Sequence, residues 1–362
     1  MIAEPVRDRP LDDSHFSLYL DLCRFLAALA VLLGHLHFDG FAAAAIWHQF
    51  SHEAVIIFFV ISGVVIAHSA EGRSWQAYLA ARASRLYTVI IPALMFSILL
   101  AAFIGPGWPD GTQKAAEWKL TELPLILAFL SQSWLIGAEV PLNRPFWSLC
   151  YEAFYYLMFA LYLYGGRRRF LWTGIAALVA GPAILALMPA WLAGVWLHHR
   201  IVDHRVPVPR SVAVVTMVMI IAICALRIPD LVSAWVFERY PIWYVLRSST
   251  QVLTDLPIAA LFVLHLIAVR QRPFAGLLRW QRPIRILAGS TFTLYLFHRP
   301  ILLFLGGDRF ADIQGPVGTT LLFFAIVGGA VLLSRLLEVR LTRMLRGFMQ
   351  PSLRANAAVP GG

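Results

Sequence analysis

The chain has 362 residues, of which 59% are hydrophobic and 14% are charged, and its mean hydropathy is +0.71. These values lie outside the range of soluble domains, so they exclude an ordinary soluble enzyme and are typical of a protein that crosses a bilayer many times. The formal net charge is +10, but many of the arginines stand in short clusters between apolar runs, as in cytoplasmic loops of membrane proteins. Nucleic acid is therefore not expected as a partner.

Nine apolar runs come near the roughly 20 residues that a membrane-spanning helix needs, and a tenth, 189–199, is shorter. In chain order they are 18–38, 54–70, 86–104, 146–164, 170–187, 189–199, 211–226, 250–269, 286–305 and 316–337. A further run, 123–137, is too short and too polar for a full span, and we expect it to be a re-entrant or surface segment.

Arginine clusters between these runs orient the chain. They follow the runs that end at residues 70 and 164, and they precede the runs that begin at 211 and 286. Because such clusters favour the cytoplasm, all four agree with ten spans and two cytoplasmic termini. The prediction is an all-α, multi-pass protein of the plasma (inner) membrane, with a cytoplasmic tail at 1–17, a transmembrane domain at 18–345 and a second cytoplasmic tail at 346–362.

Several ionisable side chains lie inside apolar runs, where they are costly and often functional. The first run carries Asp21, Arg24 and His35; Asp21 and Arg24 are three residues apart on one helical face and can simply pair. Counting from the ends of their own runs, Glu152 and His298 lie at a depth similar to that of His35. This agreement predicts one site built from three spans. The structural alternative is two histidines bonded to carbonyl groups and a glutamate paired with an arginine.

A histidine at such a site can act as a general base on a hydroxyl group, and a carboxylate on its other ring nitrogen would fix its tautomer. The sequence has no Gly-Xaa-Ser-Xaa-Gly elbow, and no cysteine stands beside a histidine as a nucleophile would. Direct transfer is therefore the simpler mechanism. Cys23, Cys150 and Cys224 have neither paired nor metal-ligand spacing, so we predict no metal site.

Two arginines, Arg82 and Arg85, stand in a segment that we expect to be a loop opening the third run. Guanidinium groups three residues apart at a helix start can bind phosphate groups, with help from the helix N-terminus. Their alternative role is the ordinary positive charge of a cytoplasmic loop.

Five segments form a set in chain order: 20–27 with Gly34 and His35, the Phe-Phe-Val-Ile-Ser-Gly string at 58–63, the paired arginines at 82–86, Trp-Ser-Leu-Cys-Tyr-Glu at 147–152, and the Ser-to-Pro segment at 290–300. These segments resemble the signatures of the acyltransferase 3 family of integral membrane acyltransferases. The resemblance covers most of the chain in the family's order. Ala153 departs from the second acidic residue often found after the glutamate, which weakens any mechanism with two adjacent carboxylates.

The resemblance implies roles for the residues that match. His35 would be the catalytic base, Arg24 its essential partner and Glu152 an active-site acid, while Arg82 and Arg85 would contact the phosphates of coenzyme A. Residues expected to support the site or the substrate are Asp21, Ser62, Trp147, Ser148, Tyr295 and His298.

The implied activity is transfer of an acyl group, often acetyl, from cytoplasmic acyl-CoA to a hydroxyl of a carbohydrate-type acceptor such as exopolysaccharide or lipopolysaccharide. Acyl-CoA would be a substrate, with no permanently bound cofactor; the other partners would be a carbohydrate or lipid-linked saccharide and the lipid bilayer. The alternative is a proton-coupled small-molecule transporter, because buried His, Glu and Arg side chains also mark proton pathways. The inverted repeat that many transporters show is not evident in the sequence.

Overall fold

The computed structural model describes residues 14–38, 41, 49–104, 119–201, 208–270, 275–306 and 313–341. Residues 1–13 of the predicted N-terminal tail and the whole predicted C-terminal tail lie outside the described residues. Within the described ranges the chain is helical and contains no β-strand, which agrees with the predicted all-α class.

Thirteen α-helices are described, with short 3-10 segments between them. They are α1 Ser14–Phe38, α2 Ser51–Ala70, α3 Trp75–Ile104, α4 Leu123–Leu127, α5 Trp147–Tyr164, α6 Arg169–Ala180, α7 Pro182–Ile201, α8 Arg210–Ala225, α9 Ile228–Arg239, α10 Val252–Arg270, α11 Gln281–Gly289, α12 Thr291–Leu305 and α13 Pro316–Ser334. A π-helical segment, Arg335–Leu341, follows α13.

Five described helical segments are long and apolar enough to cross a membrane. They are His15–His37, Ser51–Ala70, Trp75–Ile104, Pro241–Arg270 and Pro316–Glu338. Two bent pairs, α8 with α9 at 53° and Gly276–Gly289 with α12 at 49°, raise the count to seven if each pair is one broken span. The protein is therefore a membrane protein of many helices, while ten spans and cytoplasmic termini stay predictions.

Three boundaries differ from those expected. Helix α3 begins at Trp75, so Arg82 and Arg85 lie in its second and third turns and not in a loop; the predicted help from a helix N-terminus was wrong. The run at 170–187 is broken at Gly181, whose φ is +82° and whose added Cβ would lie 2.8 Å from the backbone nitrogen of Trp134. Residues 228–239, which no apolar run predicted, form helix α9.

The segment 123–137 does not cross the membrane as a helix, as expected. Helix α4 has five residues, about 7.5 Å of rise. Side chains from elsewhere in the chain donate hydrogen bonds to carbonyl groups of the segment 123–137. The Tyr87 hydroxyl donates to the carbonyl oxygen of Leu127 at 2.8 Å, and Arg247 Nη1 donates to that of Ile136 at 2.7 Å. Irregular backbone inside a membrane protein needs such partners.

Helices α2 and α7 form a very close contact through two glycines. An added Cβ at Gly63 would lie 2.1 Å from the carbonyl oxygen of Trp191, and one at Gly194 would lie 2.0 Å from that of Val60. Small residues at a crossing let helices in a membrane approach closely. This contact fixes the face of α2 that carries Ser62, whose Oγ accepts a 3.3 Å hydrogen bond from Trp191 Nε1.

Candidate active site

A cavity of about 790 Å³, including the space at its mouth, lies among helices α1, α2, α3, α5 and α12. Seven of the eleven residues predicted for the site line it. They are Arg24, Ser62, Arg82, Arg85, Ser148, Glu152 and Tyr295. Five separate stretches of sequence therefore meet at one cavity.

The cavity has charged groups in apolar surroundings. Arg82 is buried in its wall, whereas Arg85 is exposed. Much of the remaining lining is aliphatic or aromatic, including Phe58, Phe59 and Val65 of α2. Such a cavity suits an elongated ligand with an anionic end and a less polar body.

The carboxyl group of Glu152 lies between hydroxyl groups and guanidinium groups. It interacts with the side chains of Ser62 and Tyr156, whose hydroxyl oxygens are 3.1 Å apart, and with the charges of Arg82 and Arg85. The interaction partly matches the alternative reading of Glu152 as the partner of an arginine. Tyr156, one turn after Glu152, was not among the predicted residues.

Arg24 is held by an acidic neighbour, as the spacing allowed. Its Nη2 lies 2.9 Å from Asp21 Oδ1 and donates to the carbonyl oxygen of Ala288 at 3.2 Å. The other carboxylate oxygen of Asp21 lies 2.7 Å from Nη1 of Arg285, a residue that sequence reasoning missed. Asp21 therefore orients a cavity arginine without lining the cavity itself.

Helices α5 and α12 are joined by a small polar cluster. Tyr295 donates to the carbonyl oxygen of Pro145 at 3.0 Å, and the hydroxyl of Ser148 lies 2.8 Å from that of Tyr295.

Trp147 does not line the cavity. Its ring stacks on His52 at 5.8 Å, and His52 Nε2 lies 3.1 Å from the buried Asp255. The structure thus brings Ser148 and Tyr295 to the cavity but does not bring Trp147 to its wall.

His35 and His298 form a direct pair. His35 Nδ1 and His298 Nε2 are 2.7 Å apart, and the two rings stack with centroids 5.0 Å apart. His298 Nδ1 lies 3.0 Å from the carbonyl oxygen of Leu294. Because a carbonyl oxygen only accepts, His298 Nδ1 carries a proton, and in the neutral ring its Nε2 accepts from His35 Nδ1. The neutral His35 then has its lone pair on Nε2.

This arrangement corrects one expectation. The group on the Nδ1 of His35 is an imidazole and not the carboxylate that general-base chemistry suggested. Glu152 and Arg24 line the same cavity, and neither histidine of the pair is among the described lining residues. The depth estimate joined His35 correctly to His298, but it did not join either histidine to Glu152.

The histidine pair nevertheless adjoins the cavity wall. The ring of Tyr295, which lines the cavity, lies 6.2 Å from the ring of His298, and Phe58 meets Tyr295 edge-on at 6.1 Å. Tyr295 is thus the wall residue shared by the cavity and the pair.

A second acidic residue beside the arginines was also missed. Glu338 accepts hydrogen bonds from the backbone nitrogen and the hydroxyl of Thr293, at 3.0 and 2.6 Å, and its charge acts on Arg24 and Arg85. The available signal was a lone glutamate just beyond the last apolar run.

Comparisons with known proteins identify the family of the chain. A family model described as an acyltransferase domain matches residues 17–337. Over 183 residues the chain is 29% identical to the acyltransferase MdmB of Streptomyces mycarofaciens, a match that covers 46% of each protein, so the chain spans about half the length of that curated relative. No solved structure matches. Because the family model covers most of the chain, the protein belongs to the acyltransferase 3 family.

Proposed function

We propose that the protein is a multi-pass O-acyltransferase of the plasma (inner) membrane. It takes an acyl group, most simply acetyl, from cytoplasmic acyl-CoA and transfers it to a hydroxyl group of a carbohydrate-type acceptor such as exopolysaccharide or lipopolysaccharide. The observation that carries the proposal is one cavity with three arginines in its lining, adjoined by a histidine pair.

The arginines suit the phosphate groups of the donor. Guanidinium groups bind phosphate oxygens in pairs of hydrogen bonds, and Arg85 is exposed where such a ligand would enter, while Arg82 lies deeper in the wall. The less polar arm of the donor would then lie along Phe58 and Phe59. Glu152 can accept a hydrogen bond from an amide N–H of that arm.

The chemical step is assigned to His35. Its Nε2 removes the proton of the acceptor hydroxyl as the hydroxyl oxygen attacks the thioester carbonyl carbon. The carbon–sulfur bond then breaks, the CoA thiolate leaves and it recovers the proton from the imidazolium. His298 is a positioning residue, since its Nε2 accepts the hydrogen bond that keeps the His35 proton on Nδ1.

Arg24 has a different role in this proposal from the one that the resemblance suggested, which was the essential partner of His35. It lies eleven positions before His35 in the same helix, about 16 Å at 1.5 Å per residue. The two side chains therefore act on opposite ends of an extended donor. We assign Arg24, oriented by Asp21, to the phosphate end.

The test uses purified protein in detergent or nanodiscs. Binding of acetyl-CoA is measured by calorimetry, and release of free CoA is measured in the presence of a crude polysaccharide extract. We expect His35→Ala to bind acetyl-CoA but release no CoA above background, and Arg85→Ala to bind several-fold more weakly. A folded wild-type protein that binds no acyl-CoA would refute the proposal. The alternative to test would then be proton-coupled transport.

A further inference from the structure

A second polar cluster lies where helices α2 and α7 end, apart from the residues that line the cavity. His68 belongs to the last turn of α2, Glu71 follows that helix directly, and His198 belongs to the last turn of α7. One ligand atom from each residue can be chosen such that all three atoms lie within 4.8 Å of one another. From this geometry we propose that His68, Glu71 and His198 bind a divalent transition-metal ion, with zinc the best fit.

The hydrogen bonds within the cluster do not use all of its possible metal-ligating atoms. His198 Nε2 lies 2.7 Å from Glu71 Oε1, and the rings of His68 and His198 meet edge-on at 5.6 Å. His198 is 1% exposed. The Nδ1 atoms of both histidines are buried and have no hydrogen-bond partner in the described part of the chain. A buried polar nitrogen without a partner costs about 1–3 kcal/mol, so two in one cluster need an explanation.

The donor set favours zinc. Two imidazole nitrogens and one carboxylate are a known set of protein ligands for Zn²⁺, which leaves a fourth tetrahedral position for water. Zinc–ligand distances of about 2.0–2.2 Å place tetrahedral ligands roughly 3.3 Å apart, so ligand atoms that lie within 4.8 Å of one another need to close by at most about 1.5 Å. Glu71 is exposed and outside the helix, which allows this movement.

The backbone already holds the ligands close together. His68 lies five residues after Gly63, and His198 lies four residues after Gly194, so the close glycine contact of α2 and α7 stands just before both histidines. A metal ion would join the two helix ends. Sequence spacing could not indicate this site, because Glu71 and His198 are 127 positions apart and no short ligand motif connects them.

The expected role is structural. Helix α2 lines the cavity through Ser62, Val65 and Ile66, all within three turns of Glu71. An ion that ties the end of α2 to α7 would stabilise this wall without entering the cavity. The proposal therefore does not depend on the acyl-transfer chemistry.

The test uses tag-free, EDTA-treated protein in detergent. Zn²⁺ is titrated by calorimetry, and Co²⁺ is added as a spectroscopic probe because a four-coordinate site gives intense visible absorption. We expect one equivalent to bind, with a rise in the thermal unfolding temperature. His68→Gln and Glu71→Gln should each weaken binding at least tenfold and remove the cobalt bands, whereas His199→Gln, an exposed neighbour of His198, should bind as the wild type does.

Two outcomes would overturn the proposal. One is a folded wild type that binds neither Zn²⁺ nor Co²⁺ at one equivalent. The other is equal binding by the double variant His68→Gln/Glu71→Gln, which would place the ion elsewhere. Glu71 is the more informative of the two positions, because it is exposed and its variant should fold as the wild type does.

Discussion

Replacing His298 by phenylalanine isolates the role of the histidine pair. Phenylalanine keeps a flat aromatic ring in an apolar site but removes the Nε2 atom that lies 2.7 Å from His35 Nδ1. In the proposed mechanism His35 becomes positively charged during the reaction, and a hydrogen bond to a charged group contributes about 1.5–3 kcal/mol. At 1.36 kcal/mol per tenfold change in rate, kcat should fall about 10- to 150-fold.

The assay measures CoA release against acetyl-CoA concentration for the wild type and the variant. Because neither histidine lines the cavity among the described residues, KM for acetyl-CoA should change less than twofold while kcat falls. His298→Gln, whose amide oxygen can accept the same hydrogen bond, should recover part of the lost rate.

His265 offers a matched control. It is also a buried histidine of a membrane-type helix, with Nδ1 2.9 Å from the carbonyl oxygen of Ala213 and Nε2 2.6 Å from the hydroxyl of Tyr19. His265→Phe should lower thermal stability but leave kcat of the folded protein near that of the wild type. If His298→Phe keeps full kcat, or if both variants lose the same activity, the positioning role of His298 is wrong.

Three further predictions test the packing and the donor end of the cavity. Gly63→Ala should lower the free energy of unfolding by about 1–3 kcal/mol, because the added carbon would lie 2.1 Å from a backbone oxygen. The control Gly328→Ala has open space around the added carbon and should not lower it. Thermal unfolding of both variants measures the difference. In the CoA-release assay, Arg85→Ala should raise KM for acetyl-CoA about tenfold with little change in kcat. Arg210→Ala, which lies outside the cavity lining, should leave KM and kcat unchanged. Ser148→Ala should cost about 1 kcal/mol of stability through its lost hydrogen bond to the α12 tyrosine, and an unchanged unfolding temperature would contradict that reasoning.

Hydropathy, buried charge and the family resemblance together predicted the class of fold and seven of the residues that line the cavity. The long apolar runs correspond to helices because the bilayer forces the backbone to satisfy its own hydrogen bonds. Polar residues that interrupt such runs are costly, so Arg24, Glu152 and His298 could be selected as candidate functional residues before any contact was known.

That reasoning could not predict contacts between segments that are distant in sequence. Hydropathy reports the environment of a residue along one helix, but it does not report which face meets which neighbour. The pairing of His35 with an imidazole, the hydrogen bonds that Glu338 accepts and the break at Gly181 each depend on helices far apart in sequence. Charge patterns likewise predicted Arg82 and Arg85 near a membrane surface but could not show that α3 already begins at Trp75.

The geometry of α1 also bears on the chemistry of the donor. Arg24 and His35 stand about 16 Å apart along one helix, at 1.5 Å per residue, and the cavity that Arg24 lines adjoins the histidine pair at Tyr295. A donor such as an acyl phosphate, whose acyl and phosphate groups share an oxygen atom, cannot reach both ends at once. Acyl-CoA can, because a long pantetheine arm separates its phosphates from its thioester. If Arg24 binds the phosphates and His35 performs the transfer, as we propose, this spacing on a single helix suits a coenzyme A thioester as the donor.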